Sequence, residues 1–170
     1  GFQVIAHRGD SACHAENSRE AIASALAKGA QWLEIDVRLS ADGVPVLQHD
    51  ATLRRCFGLP ARVSSLRWPE LEVLRYSQGE RFLSLEQVLA MAHEGGAGVY
   101  VELKDKGSAF VHAVAAIVRA SPCKTVVSSF DASVLKAFRE DCPEHPTMAL
   151  FERRWRLWGN RPQRMSVCEI

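Results

Sequence analysis

The chain has 170 residues, of which 47% are hydrophobic and 24% charged, and its formal net charge is +1. This length and composition are typical of one globular domain that buries a substantial core. A nearly neutral chain creates no field that would attract nucleic acid, and no apolar run is long enough to cross a bilayer. We therefore expect neither nucleic acid as a partner nor stable membrane insertion.

The five cysteines form no C-x-x-C pair and show no zinc-ligand spacing, and an odd number cannot pair completely within one chain. We interpret them as reduced thiols, which favours a cytoplasmic location. The sequence begins at Gly1 without a basic and apolar leader. Because Gly1 is not an initiator methionine, a mature secreted form stays open as the alternative.

Short β-rich runs alternate with helical stretches along the chain. Runs of apolar and β-branched residues predict extended segments at 3–7, 32–39, 44–49, 98–104, 125–130, 147–151 and 166–170. Helical patterns and caps predict helices at 20–28, 69–75, 85–93, 109–120 and 133–140. Repeated βα units with apolar strands indicate an α/β fold, with a parallel sheet covered by helices.

The dipeptide Asp42-Gly43 predicts a hairpin between segments 32–39 and 44–49. Counting back from this turn places Asp36 roughly opposite Gln48. His49, the next residue, is therefore expected to lie near Asp36.

Glu34 and Asp36 are two residues apart on a predicted strand, so their side chains are expected to point to the same face. Two carboxylates side by side inside a sheet repel each other unless a cation lies between them. Clustered hard oxygens suit Mg²⁺ or Ca²⁺ better than zinc. A solvated strand edge is the alternative that alternation alone leaves open.

Glu102 and Lys104 repeat this spacing on another predicted strand. Taken by itself, a lysine beside a carboxylate is most simply an ion pair. Together with Glu34 and Asp36, however, Glu102 would complete a cation site, and Lys104 would become a phosphate ligand.

Histidines end two of the predicted extended segments. His7 ends the first and is followed by Arg8 and Gly9, and His49 ends the second arm of the hairpin. In parallel α/β folds the carboxyl ends of the strands face the active site. Gly9 permits a tight turn, and the guanidinium of Arg8 matches phosphate oxygens. A single histidine is usually structural, but two at strand ends beside paired acids indicate a site.

Other polar residues near these motifs receive simpler interpretations. Asp50 either orients His49 or caps the following turn, and strand alternation points it away from the cation. The arginine-rich run from 153 to 164, which contains two tryptophans, is interpreted as a solvated loop over the strand ends rather than a nucleic-acid or lipid surface.

Together these motifs resemble the glycerophosphodiester phosphodiesterase family in order and spacing over about residues 3–151. Ala15 and Ser18 stand where the family usually has proline and threonine. The matching segments are His7-Arg8-Gly9, Glu16-Asn17-Ser18, Glu34-Ile35-Asp36-Val37, Asp42-Gly43-Val44-Pro45-Val46, His49-Asp50, Thr52-Leu53, Leu85-Glu86-Gln87-Val88-Leu89, Val101-Glu102-Leu103-Lys104 and Ser128-Ser129-Phe130-Asp131.

The resemblance implies a TIM (β/α)₈-type barrel with its site at the carboxyl ends of the strands. It implies hydrolysis of a small glycerophosphodiester to glycerol 3-phosphate and an alcohol, with one divalent cation, Mg²⁺ or Ca²⁺. The roles implied are cation binding for Glu34, Asp36 and Glu102, acid–base catalysis for His7 and His49, and phosphate binding for Arg8 and Lys104.

The chain is shorter than the resemblance requires. The barrel strands that we identify begin near residues 3, 32, 98, 125, 147 and 166, and nothing matches the family's last two strands. We therefore expect residues 1–170 to form a single partial barrel with an irregular insertion at about 51–82. A natural chain that continues past Ile170 is the preferred explanation, and completion by a second copy in a homo-oligomer is the alternative.

Two other functions remain open from the sequence. One is a phospholipase D-like enzyme acting on lysophospholipids or sphingomyelin-type lipids, for which Phe151, Trp155 and Trp158 are the only hint of an apolar entrance. The other is a non-catalytic phosphodiester-binding protein, suggested by the incomplete barrel. The intact set of candidate histidines, acids and bases argues against the second.

Overall fold

The structure, a computed structural model, describes residues 4–151, 153–154 and 164–165. The predicted strand at 166–170 lies outside the described residues, as do Trp155 and Trp158. The arginine-rich run was predicted to be a loop, but its two ends pair with each other as short antiparallel strands. None of the described helices is both long and apolar enough to span a membrane.

The strands form a parallel sheet of the predicted α/β type. Its strands are β1 (Ile5–His7), β2 (Trp32–Leu39), β3 (Pro45–Leu47), β4 (Gly98–Leu103), β5 (Thr125–Ser129) and β6 (Thr147–Ala149), and the separate antiparallel pair is β7 (Arg153–Arg154) and β8 (Arg164–Met165). The order in the sheet is β1-β2-β4-β5-β6, all parallel, and β3 pairs with β2 in the antiparallel direction. Over the part of the chain that the structure describes, this sheet does not close into a barrel.

The helices begin at the caps that the sequence indicates. The hydroxyl of Ser18 accepts a hydrogen bond from the N–H of Ala21, and Ser84 forms a capping box with Gln87. The helices are α1 (Arg19–Ala27), α2 (Arg54–Phe57), α3 (Trp68–Glu72), α4 (Leu85–Glu94), α5 (Ser108–Ala120) and α6 (Ala132–Asp141), with a 3₁₀ turn at Val63–Ser65.

The two faces of the sheet differ in polarity because side chains alternate along each strand. One face is apolar and packs against the helices; Ile35, Val37 and Val101 belong to this core. Helix α4 packs on this face through one side, on which Leu85, Val88, Leu89 and Ala92 are all buried. Polar side chains, among them Glu34, Asp36 and Glu102, occupy the opposite face of the sheet.

The hairpin of β2 and β3 has the predicted register. Val37 pairs with Leu47, and the N–H of Gln48 donates to the carbonyl oxygen of Asp36 at 3.0 Å. The end of β3 therefore lies beside the polar face of β2, which places the following residue, His49, near the acids.

Residues 51–82 pack with Val46 of β3 around a second, smaller core, which also contains Leu53, Val63, Leu71 and Phe82. The predicted helix at 69–75 lies slightly earlier, as α3, and the four-residue α2 was not predicted. Elements this short contain about one turn, so they leave no apolar periodicity in the sequence.

This segment is also attached to the loop before α1 and to the first turn of that helix. The N–H of Arg19 donates to the carbonyl oxygen of Arg81 at 2.9 Å, and the N–H of Ala15 donates to a carboxylate oxygen of Glu80 at 3.2 Å. The guanidinium of Arg81 further pairs with Glu20 at 3.0 Å. Residues 80 and 81 therefore hold the loop that carries residues 15–18 in place.

Candidate functional site

Three buried carboxylates meet on the polar face of the sheet. Glu34 and Asp36 on β2 and Glu102 on β4 each offer an oxygen, and these oxygens lie within 4.8 Å of one another. Parallel pairing sets Asp36 directly beside Glu102, and none of the three residues is more than 8% exposed. The structure thus brings together the acids that the two-residue spacing placed on one face, and excludes a solvated strand edge.

The acids in this cluster do not share one charge state. Burial, reinforced by the charges of Asp36 and Glu102, raises the pKa of Glu34 to about 8. Burial likewise raises the pKa of Glu102. For Asp36, burial acts in the same direction but is outweighed by Lys104, Arg8 and a hydrogen bond from Asn17, so its pKa is lowered. Without a cation, Asp36 is ionised at neutral pH and Glu34 holds a proton.

Two buried oxygens of the cluster, Glu34 Oε2 and Asp36 Oδ1, accept no well-aligned hydrogen bond from the described residues, although Lys104 Nζ forms an ion pair with Asp36 Oδ1 at 3.2 Å. Buried polar atoms normally have a partner, so these oxygens are suited to a ligand. Hard oxygens from several carboxylates in one small space are the donor set that divalent cations of the Mg²⁺ and Ca²⁺ type accept. The residues present therefore fit a divalent cation.

The two basic residues assigned to phosphate by the resemblance lie against these acids. Lys104 Nζ is 2.7 Å from Glu102 Oε1 and 3.2 Å from Asp36 Oδ1. Arg8 Nε is 2.9 Å from Asp36 Oδ2, and its Nη1 is 3.2 Å from Glu16 Oε1. The positive charges of these two side chains thus partly balance the negative charge of the three clustered carboxyl groups.

Arg8 reaches Asp36 because the chain turns sharply after β1. Its backbone N–H donates to the carbonyl oxygen of Glu34 at 2.8 Å, and its φ is +58°. Gly9 follows with φ +78°, and a Cβ at this position would lie 2.7 Å from the carbonyl carbon of Ala21. Glycine is therefore required here both by its conformation and by the close approach of α1.

Asn17 is a site residue that sequence reasoning missed. Its side-chain amide donates to Asp36 Oδ2 at 3.0 Å and accepts from the Asp36 N–H at 3.3 Å, and it is 1% exposed. Asn17 was given no role at the site from the sequence alone. Its place inside the family segment Glu16-Asn17-Ser18 was the signal that could have identified it.

The two candidate catalytic histidines flank the acidic cluster. His7 Nε2, at the end of β1, lies 3.6 Å from Glu34 Oε2. Partial burial, with the charge of Arg8, lowers the pKa of His7. His49 directly follows Gln48, whose N–H donates to the carbonyl oxygen of Asp36 at 3.0 Å, so the chain at His49 lies beside the strand that carries Glu34 and Asp36.

The carboxylate of Asp50 binds His49, which decides between the two roles considered for it. His49 Nδ1 lies 2.7 Å from Asp50 Oδ1. A hydrogen bond from Arg55 lowers the pKa of Asp50 to about 2, and the hydrogen bond with His49 adds to this effect. Together they outweigh partial burial, which acts in the opposite direction. An ionised acceptor at Nδ1 favours the tautomer with its proton there, which leaves Nε2 available for proton transfer.

Comparison with known proteins is consistent with this geometry. The chain matches the profile of the Glycerophosphoryl diester phosphodiesterase family over residues 7–165. It is 31% identical to a lysophospholipase D from Mus musculus over 160 residues, which cover 85% of this chain and 48% of the relative. It is 27% identical to glycerophosphodiester phosphodiesterase 1 from Bos taurus, covering 91% of this chain and 50% of that protein.

Solved structures show the same fold. A phosphodiesterase from Oleispira antarctica in complex with the product sn-glycerol-3-phosphate superposes with a TM-score of 0.83 at 28% identity, over 88% of this chain and 66% of that one. A glycerophosphodiester phosphodiesterase from Thermotoga maritima gives 0.75 at 30% identity, covering 89% of this chain and 63% of that one. The expected TIM-barrel class is thereby confirmed.

The chain spans about half the length of the curated relatives given above. The matched region nevertheless includes each of the candidate acids, bases and histidines in the expected order, from His7 to Lys104. This chain belongs to the glycerophosphoryl diester phosphodiesterase family.

Proposed function

We propose that the chain carries the active site of a metal-dependent enzyme that hydrolyses glycerophosphodiesters to glycerol 3-phosphate and an alcohol. The observation that carries this proposal is the convergence of Glu34, Asp36 and Glu102, with His7 at 3.6 Å from Glu34 and His49 next to the residue that pairs with Asp36. The likeness to a phosphodiesterase with bound sn-glycerol-3-phosphate supports the product class. In this proposal residues 1–170 form a single partial barrel domain with an irregular insertion at about residues 51–82.

Glu34, Asp36 and Glu102 are the proposed ligands of one divalent cation, Mg²⁺ or Ca²⁺. The buried oxygens Glu34 Oε2 and Asp36 Oδ1, which accept no well-aligned hydrogen bond from the described residues, support this assignment. A cation bound there would act as a Lewis acid that neutralises the charge developing on the phosphate. Asn17 supports the site by holding the carboxylate of Asp36 in place.

His7 and His49 are the proposed acid–base pair. One imidazole removes the proton from the attacking oxygen, and the other donates a proton to the departing alkoxide. His49 is prepared for this role by Asp50, which holds Nδ1 at 2.7 Å and leaves Nε2 free. The attacking oxygen is either water or the 2-hydroxyl of the glycerol moiety, and the two routes differ in their intermediates.

Arg8 and Lys104 are proposed to hold the phosphate. A guanidinium has five N–H donors and an ammonium has three, so their contacts with carboxylates leave further donors for phosphate oxygens. Their positions beside Asp36 place this positive charge next to the proposed cation site. Charge-assisted contacts of this kind are the strongest available for binding a phosphodiester.

Lysophospholipids are a second candidate substrate class. A cavity of about 450 Å³ beside Glu102 and Lys104 is also lined by Phe130, whose side chain is exposed although it is large and apolar. The apolar part of this lining, Leu103, Phe130, Ala132 and Val134, would tolerate an acyl chain beside the charged residues that form the rest of it. The Mus musculus relative named as a lysophospholipase D favours the same candidate.

The proposal is tested by product analysis on the purified chain. Glycerophosphocholine and lysophosphatidylcholine are incubated separately with Mg²⁺ or Ca²⁺, and glycerol 3-phosphate, lysophosphatidic acid and choline are quantified. Release of glycerol 3-phosphate is expected, and faster release of lysophosphatidic acid would favour the second candidate. In ¹⁸O-labelled water, direct hydrolysis puts the label into the product without a cyclic phosphate. Failure to hydrolyse either substrate, with cation-dependent phosphate binding retained, would indicate the non-catalytic function instead.

A further inference from the structure

Arg55 on α2 connects the inserted segment to both flanks of the proposed site. Its Nε donates to Asp50 Oδ2 at 2.6 Å. Its Nη1 and Nη2 donate to the two carboxylate oxygens of Glu16 at 3.0 and 2.6 Å. A bidentate guanidinium–carboxylate pair fixes orientation as well as distance, so this contact is geometrically specific.

On one side, this guanidinium acts on His49 through Asp50. Asp50 uses one oxygen for Arg55 and the other for His49 Nδ1, at 2.6 and 2.7 Å. The carboxylate therefore cannot rotate freely without breaking one of the two contacts. Arg55 thus fixes the acceptor that orients the imidazole.

The guanidinium of Arg55 also acts on Arg8, through Glu16. Glu16 Oε1 accepts from Arg55 Nη2 and lies 3.2 Å from Arg8 Nη1. Arg8 in turn lies 2.9 Å from Asp36 Oδ2. A continuous chain of charged contacts therefore runs from the proposed acid–base residue to a proposed cation ligand, with Arg55 at its centre.

The backbone of His49 is held independently of this chain. Arg38 Nε and Nη2 both donate to the His49 carbonyl oxygen, at 2.9 and 2.7 Å, and Arg38 is itself paired with Asp105. Loss of Arg55 should therefore leave the main chain at His49 in place. What it should change is the orientation and tautomer of the imidazole.

We propose that Arg55 is a positioning residue for the reaction: through Asp50 it fixes the Nδ1–H tautomer of His49, and through Glu16 it holds Arg8 against Asp36. The inference rests on the proposed function, in which His49 transfers a proton and Arg8 binds phosphate. It makes the inserted segment part of the catalytic apparatus, although α2 contributes no side chain to the acidic cluster.

The test compares three variants. Arg55→Gln removes both the positive charge and the guanidinium donors that bind Glu16 and Asp50. Arg55→Lys keeps the positive charge but lacks the planar guanidinium group. Arg81→Gln is the matched control, because Arg81 lies in the same segment as Arg55 and its guanidinium pairs with Glu20 of α1. The contacts to Ala15 and Arg19 come from Glu80 and from the Arg81 backbone, which this substitution keeps. The side chains of Arg55 and Arg81 are similarly exposed, at 49% and 55%. Unfolding in urea is measured for each, so that a general loss of stability is recognised.

The first readout is the tautomer of His49, measured by ¹⁵N chemical shifts of its ring in protein without cation or substrate. A proton on Nδ1 is expected in the unmodified protein and a mixture of tautomers in Arg55→Gln. The second readout is kcat, which we expect to fall about 10- to 100-fold in Arg55→Gln, the range found when supporting groups around a site are removed. Arg55→Lys should recover part of this loss, and Arg81→Gln should stay within about twofold of the unmodified chain.

An unchanged His49 tautomer in Arg55→Gln would overturn the proposal, as would equal kcat losses in Arg55→Gln and Arg81→Gln. If Arg55→Gln does not fold, the same two readouts on Arg55→Lys decide. Because the tautomer is measured without substrate, a chain that hydrolyses nothing would contradict the proposed function alone, and the positioning of His49 would still be tested.

Discussion

The side-chain amide of Asn17 binds Asp36 at two points, through Nδ2 to Oδ2 at 3.0 Å and through Oδ1 to the backbone N–H at 3.3 Å. Both residues are almost fully buried, so no solvent replaces these contacts if either is lost. These two hydrogen bonds connect the loop before α1 to the centre of the sheet, and they fix the side-chain rotamer of Asp36, a proposed cation ligand.

Replacing Asn17 by alanine should therefore weaken both the fold and the site. Leaving buried partners without hydrogen bonds costs about 1–3 kcal/mol, and cation affinity should fall about 10- to 100-fold. Urea unfolding and calorimetric titration with Mg²⁺ measure the two effects. Ser84→Ala is the control, because loss of the α4 cap lowers stability by about 1 kcal/mol without touching the acids. Unaltered cation affinity in Asn17→Ala would contradict the role given to this residue.

His7→Ala and His49→Ala should each lower kcat by at least about 10²-fold with the fold retained, because each removes a proton-transfer group. Steady-state hydrolysis of glycerophosphocholine measures the effect, and circular dichroism monitors the fold. His93→Ala, on an exposed position of α4, serves as a control that should not change kcat. Near-normal turnover in both His7→Ala and His49→Ala would exclude a mechanism in which these two histidines transfer protons.

Chelation should abolish hydrolysis, and excess Mg²⁺ or Ca²⁺ should restore it, because Glu34, Asp36 and Glu102 are proposed to share one cation. A second readout is independent of activity: cation at about one hundred times its Kd should stabilise the folded chain by about 2.7 kcal/mol. Thermal unfolding with and without cation measures this gain, which Glu102→Gln should reduce. Full activity in EDTA would exclude the carboxylate site as described.

Cation affinity should rise with pH up to about 8, because the pKa of Glu34 in the cation-free protein is raised to about 8 by burial and by Asp36. Below this value the cation must displace a proton, so affinity should increase roughly tenfold per pH unit and then level off. Titration calorimetry in two buffers of different ionisation enthalpy counts the protons released. Glu34→Gln should bind more weakly and release fewer protons, and an affinity that is constant between pH 6 and 8 would contradict this prediction.

Gly9→Ala should destabilise the chain more than Gly29→Ala, although both glycines have similar φ values of +78° and +82°. A Cβ at Gly9 would meet the backbone of Ala21 at 2.7 Å, whereas one at Gly29 meets nothing within 4 Å. Gly29→Ala should cost about 1–2 kcal/mol from conformation alone, and Gly9→Ala should add the cost of displacing α1. Equal free energies of unfolding for the two variants would show that the approach of α1 is not limiting.

Several features of this protein followed from the order of its residues alone. The spacing of Glu34 and Asp36 determined that they share a face, since side chains on a strand alternate with period two. The turn at Asp42-Gly43 determined the register that sets Gln48 beside Asp36, and serines before apolar stripes determined where α1 and α4 begin. These are local relationships, and each involves one element or two elements joined by a tight turn.

The contacts between distant parts of the chain were decided only by the tertiary structure. Asp36 lies beside Glu102 because β2 and β4 are neighbours in the sheet, with the whole segment 51–82 between them in sequence. The contacts of Asn17 with Asp36 and of Arg55 with Glu16 likewise join different elements. Alternation along strands and periodicity along helices indicate the face of an element on which a side chain lies. They do not indicate which residues of other elements that side chain contacts, because those contacts depend on strand order and on the packing of the whole chain.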